Sequence, residues 1–518
     1  MSATPTAPLV DRMRHLPHSR AVRTNALWRA AVVLSLLVPH TGVSAQAEAP
    51  ATGTSVPRSR LAVRTTGSLR SRVEDWRWFD TTTAGAYRYS ALLARVGVDA
   101  SHGSWSARTD LSVPVLLSLP TSASAPAPLG QFGLGANYAS ASTSGTALRS
   151  NVAGFFVRQA VLQWKQRTTT ALLGRFDASD GVERTPSTPA LATLKNTRLS
   201  QRLLGPFGFT HGQRAMDGIS VQTTRARHTF TGLAIRPTSG VFAVTRAGRS
   251  LPVNIAYGAW SYGRVRTHSE WDARLFALWY QDERGLVPTD SRSASVRTSA
   301  PRDITVNTVG GHLVGIRSVG AWSVDGLAWG AAQTGTWSTL RHRAYALALE
   351  VGAQRRATPW SPWVRAGWYR GSGDRNSADD RHGTFFQIAP TPRPYARFPF
   401  YNGMNSDQVF VYATVKPSRT VGARLGLHDI RLASTSDQWL LGGGAFDTRT
   451  FGYIGRSLPT GSAARLGIVS EASVEWKPTA HVAVEGFLAL VGHAAGPARI
   501  YGTGSRGHLA LIEFTLTK

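Results

Sequence analysis

From about residue 60 onward, apolar and polar side chains alternate along the chain in one short segment after another. In residues 271–281, for example, Trp271, Leu275 and Trp279 share one parity, whereas Asp272 and Arg274 have the other. A period of two residues with one apolar face is typical of a β-strand whose two faces have different surroundings. The pattern recurs in about eighteen segments, each roughly nine to fourteen residues long, and predicts an all-β chain.

The connections between these segments alternate in length. Short connections fall near residues 101–103, 166–167, 226–227, 266–270, 319–320, 417–418 and 478–479. Most of the connections between them are long, as at residues 119–151, 177–214, 371–406 and 432–463. Outer-membrane barrels sort their connections in this way, with tight turns on the periplasmic side and long loops outside. The sequence therefore predicts a transmembrane antiparallel up-and-down β-barrel of about 18 strands, within a range of about 16–18.

The N-terminal region has the features of an export signal. Five arginines between Arg12 and Arg29 precede an apolar run at residues 30–38, and Ala45-Gln46-Ala47 fits a cleavage site. The apolar run is too short to span a bilayer as a helix. We therefore expect a signal peptide at residues 1–47, a flexible lead-in at residues 48–62 and the barrel at residues 63–518, with the mature protein in the bacterial outer membrane.

Composition agrees with a barrel and limits the chemistry. Charged residues make up 17% of the chain, and beyond the signal no apolar stretch is long enough for a transmembrane helix. Cysteine is absent, which fits an oxidising compartment. Its absence also excludes thiolate metal sites and cysteine nucleophiles.

The chain is strongly basic, with a formal net charge of +28 that comes almost entirely from arginine. Guanidinium groups bind carboxylate and phosphate bidentately, which ammonium groups cannot do. Three interpretations remain open: the codon usage of a GC-rich genome, a cationic rim that binds the phosphates of lipopolysaccharide, and an electropositive lumen that conducts anions. Nucleic acid is not an expected partner, because the arginines are spread along an exported chain without basic clusters.

Inward-facing cations are the candidate site of a channel. The strand parities favour the lumen face for Arg95, Arg108, Lys165, Arg274, Arg365 and Arg424. Acidic residues with the same orientation are expected to pair with them, namely Asp99, Asp110, Asp272 and Glu485. Wall arginines would then offer serial, weak sites for anions.

Two stretches resemble the alginate export family of outer-membrane porins. Residues 171–184, ALLGRFDASDGVER, lead through a long loop to residues 215–219, AMDGI. Residues 368–386 contain Gly371-Ser372-Gly373-Asp374 and then His382-Gly383-Thr384-Phe385. The resemblance implies a channel of about eighteen strands that carries a polyanionic polysaccharide through an arginine-lined lumen. We expect Gly371, Gly373 and Asp374 to shape a loop, since glycine supplies positive φ and aspartate caps turns.

No enzyme motif accompanies this pattern. The sequence has no G-x-S-x-G, H-E-x-x-H or Walker motif, so we expect no enzymatic activity, no cofactor and no metal. A calcium site at Asp374, Asp379 and Asp380 is disfavoured, because the ion takes about six to eight oxygen ligands. His382, beside these carboxylates, is expected to be solvated.

The leading hypothesis is a passive outer-membrane channel for anionic solutes, with export of uronate-containing polysaccharide as one use. The alternative is a structural or adhesive surface barrel, whose lumen is plugged by long loops such as residues 371–406 and which transports nothing. A soluble secreted β-protein that binds polysaccharide is the third hypothesis. Expected partners are outer-membrane lipid and lipopolysaccharide, anionic small solutes or polyuronate, and the barrel assembly machinery.

Overall fold

The structure is a computed structural model that describes residues 61–77, 86–120, 150–356, 358–391, 394–459, 461–501 and 505–518. The predicted signal peptide and all but the last two residues of the predicted lead-in lie outside the described residues. No helix in the described part of the chain is long and apolar enough to cross a membrane.

Nearly all regular structure is extended, and the described ranges contain twenty-two strands and three α-helices. The strands are β1 (Ala62–Arg77), β2 (Ala86–His102), β3 (Trp105–Leu117), β4 (Val152–Ala153), β5 (Phe156–Gln166), β6 (Thr169–Phe176), β7 (Met216–Arg225), β8 (His228–Pro237), β9 (Val253–Arg266), β10 (Ser269–Asp282), β11 (Ile304–Val319), β12 (Trp322–Trp337), β13 (Leu340–Arg355), β14 (Trp363–Gly371), β15 (Arg381–His382), β16 (Ser406–Val415), β17 (Val421–Arg431), β18 (Gln438–Gly442), β19 (Tyr453–Ser457), β20 (Arg465–Thr479), β21 (Val482–Gly492) and β22 (Gly507–Thr517). The helices are α1 (Pro189–Arg198), α2 (Ala294–Ser299) and α3 (Ala495–Tyr501).

Eighteen of these strands form a closed barrel wall. The other four are the two-residue strands β4 and β15 and the separate hairpin of β18 and β19. Neighbouring wall strands are consecutive in the chain and antiparallel, and β1 pairs with β22 from Ser68 opposite Thr517 to Arg77 opposite His508. This last pairing closes the sheet, so that no edge of the wall is left without a partner. The predicted fold class and strand number are confirmed.

The two ends of the barrel differ in the length of their connections. At one end, called the turn end, two-residue connections occur at residues 103–104, 167–168, 226–227, 267–268, 320–321 and 480–481. At the opposite end, called the loop end, the connections include residues 177–215, 283–303, 372–405 and 432–464. The predicted alternation holds with one exception at the loop end, where residues 338–339 alone join β12 to β13. Ser338 adopts a φ of 58°, which lets the chain reverse within two residues.

The alternation within strands sets which side chains face outward. Leu275 of β10, Leu425 of β17 and Val474 of β20 are more than half exposed on the outer face. Asp272 and Arg274 of β10 are buried inside the barrel. The outer face is therefore apolar and the inner face polar, as predicted for these strands.

The first strand is longer than predicted. The sequence predicts it at about residues 68–79, but it begins at Ala62 and is described as far as Arg77. Residues 62–67, AVRTTG, have no apolar face, so the hydrophobic period could not reveal them. They are extended because they pair with β2, beginning with Ala62 opposite Ser101.

Tryptophans mark the turn end on the outer face of the barrel. Trp105, Trp322 and Trp476 are about half exposed and lie at or near the turn ends of β3, β12 and β20. Indole rings favour the interface between hydrocarbon and water. These residues therefore indicate where an apolar slab around the barrel would end.

Candidate functional site

Two long connections at the loop end fold back into the barrel. Loop A comprises residues 177–215, between β6 and β7, and loop B comprises residues 372–405, between β14 and β16. Leu194 and Leu203 of loop A and Ile388 and Phe398 of loop B are fully buried. Loop A contacts Glu350, which lies nearer the turn end of β13 than its loop end. The loops therefore occupy the lumen instead of covering its mouth.

Helix α1 belongs to loop A and packs one face against the wall. Pro189 stands in its first turn, where the missing N–H is tolerated. Leu191, Leu194, Lys195 and Arg198 recur at intervals of three and four residues, and all four are buried. Docking of this helix therefore needs both apolar contacts and carboxylate partners on the wall.

Lys195 and the segment before α1 bind two carboxylates of β10. Lys195 Nζ lies 2.7 Å from Asp272 Oδ1, and His312 Nε2 lies 2.9 Å from the same oxygen. Glu270 accepts hydrogen bonds from two successive backbone N–H groups that precede the helix, at 2.8 and 2.6 Å. Burial lowers the pKa of Lys195 below its ordinary value, and the contact with Asp272 opposes that shift. The helix is thus fixed at both of its ends.

A second cluster gathers three arginines around one carboxylate. Arg198 Nε and Nη2 lie 2.8 and 3.1 Å from the two oxygens of Glu350 on β13. Arg202 approaches Glu350 to 3.4 Å and Arg365 of β14 approaches it to 3.2 Å. Arg365 also pairs with Asp325 of β12. These side chains are at most 3% exposed, so three guanidinium groups share two buried carboxylates.

A third cluster contains more carboxylates than cations. Arg274 of β10 lies 2.9 Å from Glu183 and 3.4 Å from Asp180, both in loop A. Asp180 also accepts hydrogen bonds from the backbone N–H groups of Leu203 and Leu204, each at 2.9 Å. Burial raises the pKa of Asp180, whereas Arg274 and the two N–H groups oppose that shift. The carboxylates thus fold loop A onto itself and also hold it to the wall.

Loop B is held by strands on the C-terminal side of the chain. Arg397 Nη2 lies 3.0 Å from Glu485 of β21, and the backbone N–H of Arg397 donates to Glu471 of β20 at 2.8 Å. Arg424 of β17 lies 3.1 Å from Glu471 and donates to the carbonyl oxygen of Tyr395 at 3.3 Å. Glu471 therefore connects loop B to the wall directly, through the backbone N–H of Arg397, and indirectly, through Arg424.

Three of the six cations predicted for the lumen belong to these contacts. Arg274 and Arg365 are 1% exposed and hold loop A or its partner carboxylate. The side chain of Arg424 is 25% exposed and supports loop B. Their inward orientation agrees with the strand parities, but each has a carboxylate partner.

The other three cations, Arg95, Arg108 and Lys165, form a separate group that we call the cation ladder. They come from the neighbouring strands β2, β3 and β5. Arg95 lies near the middle of β2 and donates to the side-chain oxygen of Gln213 in loop A. Arg108 is 43% exposed and lies 3.2 Å from Asp99. Lys165 is exposed and precedes the last residue of β5, so the ladder descends the inner wall towards the turn end.

The acids expected to pair with wall cations do so only in part. Asp99 pairs with Arg108, as predicted. Asp272 and Glu485 instead pair with cations of the two loops, because the loops bring their own cations to the wall. Asp110 Oδ1 is buried without a hydrogen-bond partner among the described residues.

Other cations that lie inside the barrel were not predicted from the sequence. Arg72 of β1 lies 2.6 Å from Glu513 of β22, and Arg158 of β5 lies 2.6 Å from Asp177 at the start of loop A. The parity of β1 could have revealed Arg72. Arg158 could not be found in this way, because an irregularity in the pairing of β5 with β3 at this residue changes the parity along β5. Arg198 lies in the long connection predicted at residues 177–214, and the helical spacing of the buried leucines before it is the signal that could have revealed it.

The glycines of the predicted loop motif are required for close packing and not for their backbone conformation. Gly371 and Gly373 do not have positive φ, so that expectation is wrong. Their small size instead permits close packing: a Cβ at Gly371 would overlap the carbonyl oxygen of Gly403, and one at Gly373 would overlap the side chain of Asn405. Asp374 does cap a turn, because its Oδ1 accepts a hydrogen bond from the N–H two residues later at 3.3 Å.

His382 is buried, contrary to the expectation that it is solvated. Its ring stacks on Trp337 with centroids 4.1 Å apart, and its Nδ1 lies 2.9 Å from Nδ1 of His342. Burial lowers the pKa of His382 well below its ordinary value. Nearby, burial raises the pKa of Asp437 to about 6, against the hydrogen bond from Thr384. The first part of loop B is thus held by two groups with opposite pH dependence.

The sequence matches a known protein family. A family model described as alginate export matches residues 198–499, from the end of α1 into α3. The matched segment is more than half of the chain. No curated protein matches the chain in sequence.

Comparison of the structure with solved structures gives outer-membrane proteins of very low sequence identity. Pseudomonas aeruginosa OccK9 (OpdG) has a TM-score of 0.54 and 12% identity, over 88% of this chain and 98% of its own. P. aeruginosa OpdK with vanillate has a TM-score of 0.51 and 8% identity, over 88% and 98%. P. aeruginosa OccK2 (OpdF) in complex with glucuronate has a TM-score of 0.50 and 8% identity, over 88% and 96%. These likenesses show the fold.

Proposed function

The chain belongs to the alginate export family of outer-membrane channel proteins, and we propose that it conducts anionic solutes, among them uronate-containing oligosaccharides and polysaccharides. The barrel lies in the bacterial outer membrane. Tight turns of such barrels face the periplasm, so the turn end is periplasmic and the loop end is extracellular. The fold and family are those of channels, which are not enzymes, and we propose no catalytic role.

The cation ladder is the observation that carries the proposal. Arg95, Arg108 and Lys165 face the lumen from three neighbouring strands; Arg108 and Lys165 are exposed there, whereas Arg95 is half-buried against loop A. A low-dielectric wall strengthens the field of such charges and concentrates anions near them. The pair between Arg108 and Asp99 keeps that site weak, which conduction requires, since a bound anion must also leave.

Two of the structurally similar porins support the proposal that the solute is an anion. OpdK was solved with vanillate and OccK2 with glucuronate, and both ligands are carboxylates. A guanidinium group can bind a carboxylate through two parallel hydrogen bonds. By analogy, we propose that Arg95 and Arg108 bind the carboxylates of uronate units one after another as the solute passes.

The test compares flux of oligouronates with flux of neutral oligosaccharides of equal length through proteoliposomes. The variant R95A/R108A/K165A removes the ladder. At low ionic strength its uronate-to-neutral flux ratio should be lower than that of the wild type by about tenfold, because three lumen charges no longer attract the anion.

The matched control is R264A/R266A/R317A, which removes three cations from the outer face of β9 and β11 at the turn end. Its flux ratio should equal that of the wild type, since these side chains do not face the lumen. An equal flux ratio in the ladder variant and the wild type would contradict the role of the ladder.

The inward loops favour a second candidate function, a structural or adhesive surface barrel that transports nothing. Loops A and B fill the lumen beside the wall with fully buried side chains such as Leu194 and Phe398. Under this alternative, folded wild-type protein should pass neither uronates nor neutral sugars. Flux of either solute through the wild type would exclude it.

A further inference from the structure

The outer face of β13 and β14 changes from apolar to cationic near the loop end. On β13 the exposed side chains of Leu349, Leu347 and Tyr345 are followed on the same face by Arg343. On β14 the outward-facing Trp368 is followed by Arg370. A change of this kind marks the level at which hydrocarbon gives way to lipid headgroups. Because the loop end is extracellular, these headgroups belong to the outer leaflet.

A cavity of about 420 Å³ lies at this level. It is formed between the ends of the two strands and the first part of loop B. Four guanidinium groups line it, from Arg343, Arg370, Arg375 and Arg381, together with Tyr345 at the border of the apolar face.

Most of these guanidinium groups are not engaged by the protein. Arg370 pairs with Asp407. The side chains of Arg343, Arg375 and Arg381 are exposed and have no hydrogen-bond or ion-pair partner in the described part of the chain. The cavity differs in this respect from the buried lumen clusters, where every guanidinium group meets a carboxylate.

The carboxylates of the cavity do not neutralise it. Asp374 is buried and accepts hydrogen bonds from the hydroxyl of Ser291 at 2.8 Å and from a backbone N–H of its own turn. Asp379 accepts a hydrogen bond from the backbone N–H of Arg381 at 2.9 Å. Because Asp407 already pairs with Arg370, the two acids of the cavity face the three remaining guanidinium groups, which leaves an excess of positive charge beside the membrane.

We propose that this cavity binds the phosphorylated sugar headgroup of lipopolysaccharide. Guanidinium forks match the oxygen atoms of a phosphate group and bind it bidentately. The apolar side chains below the cavity would contact the acyl chains of the same molecule. A solute in the lumen does not reach this site, because Arg343 and Arg370 stand on the opposite face of the wall. The proposal rests on the outer-membrane location and is independent of the transported solute.

The test measures binding of bisphosphorylated lipid A to the purified full-length barrel in detergent by native mass spectrometry. The variant R343A/R375A/R381A should bind lipid A at least about tenfold more weakly than the wild type, because charge-assisted bonds to phosphate are lost. The control R264A/R266A/R317A also loses three outer-face cations, but at the turn end, and should bind as the wild type does. Heat-dependent mobility in gels verifies that each variant is folded.

A second binding experiment uses only wild-type protein and therefore does not depend on the folding of any variant. Lipid A from which both phosphates have been removed should bind at least about tenfold more weakly than the bisphosphorylated form. Equal binding of the two lipids, or equal affinity of the triple variant and the wild type, would overturn the proposal. Displacement of lipid A by an equal concentration of inorganic phosphate would overturn the assignment to a glycolipid.

Discussion

At the scale of single residues, the inside of the barrel depends on carboxylates that each bind more than one partner. Glu350 serves three arginines, Asp272 serves Lys195 and Arg184, and Glu471 serves Arg424 and the backbone of Arg397. When such a carboxylate is removed, several buried charges lose a partner at once. The cost is then much larger than that of breaking an exposed ion pair.

Replacement of Glu350 by glutamine should loosen loop A. The variant keeps the shape of the side chain but leaves three buried guanidinium groups without its charge. We expect the free energy for opening of α1, measured by hydrogen exchange of its amides, to fall by about 3 kcal/mol or more.

The matched control is Glu475→Gln, because Glu475 pairs with Lys477 at 2.8 Å while both side chains are about half exposed. Its effect on the free energy of unfolding should be less than about 1 kcal/mol. Unchanged exchange of the α1 amides in the Glu350 variant would show that Glu350 does not hold the helix.

His382 should make the first part of loop B sensitive to acid. Its folded-state pKa lies well below the ordinary 6.5, so its contribution to stability is complete above about pH 6.5 and is lost as the pH falls below that value. Hydrogen exchange of residues 381–388 should therefore become faster, after correction for intrinsic rates, between pH 8 and pH 5. The variant His382→Phe keeps the stack on Trp337 and should lose this component.

The pH dependence of the contribution from Asp437 has the opposite sign to that from His382. The variant His382→Phe is therefore needed to separate the two. Its folded-state pKa is raised to about 6, so its contribution is lost as the pH rises through about 6. The difference between wild type and His382→Phe isolates the histidine. An identical pH dependence in the two proteins would contradict the role of His382.

At the scale of elements, the wall and the inward loops have different origins in the sequence. A wall strand is specified by its own alternation, so the faces of β10 and β17 could be predicted without the structure. Loop A is specified by contacts between distant residues, such as Arg198 with Glu350, which are 152 positions apart. Local periodicity carries no information about such contacts, and the inward position of the helix could not be derived from it.

Replacement of α1 (Pro189–Arg198) by a Gly-Ser segment of equal length should raise single-channel conductance. The replacement removes four buried side chains from the lumen, so the cross-section open to ions increases. The control is the same replacement in α2 (Ala294–Ser299), which has no buried residue and lies outside the lumen clusters. A conductance equal to that of the wild type after loss of α1 would show that loop A does not restrict the channel.

At the scale of the whole molecule, the parity of loop lengths was the strongest predictor of the fold. It required no knowledge of side-chain contacts, and together with the number of alternating segments it predicted the closed wall and its strand number. The candidate site was predicted in part, since all six cations face inward, but three of them form ion pairs that hold the loops or their partner carboxylates, and Arg95 also donates a hydrogen bond to loop A. The remainder depends on where loops A and B pack, which is set by contacts between residues far apart in the chain.

The measurement that tests the central proposal most directly is a single-channel recording of refolded wild-type protein in a planar bilayer under a potassium chloride gradient. An anion-conducting lumen predicts current steps whose reversal potential lies on the chloride side, and block of these steps by oligouronates but not by neutral oligosaccharides. A reversal potential on the potassium side, or no conductance from protein shown to be folded, would contradict it.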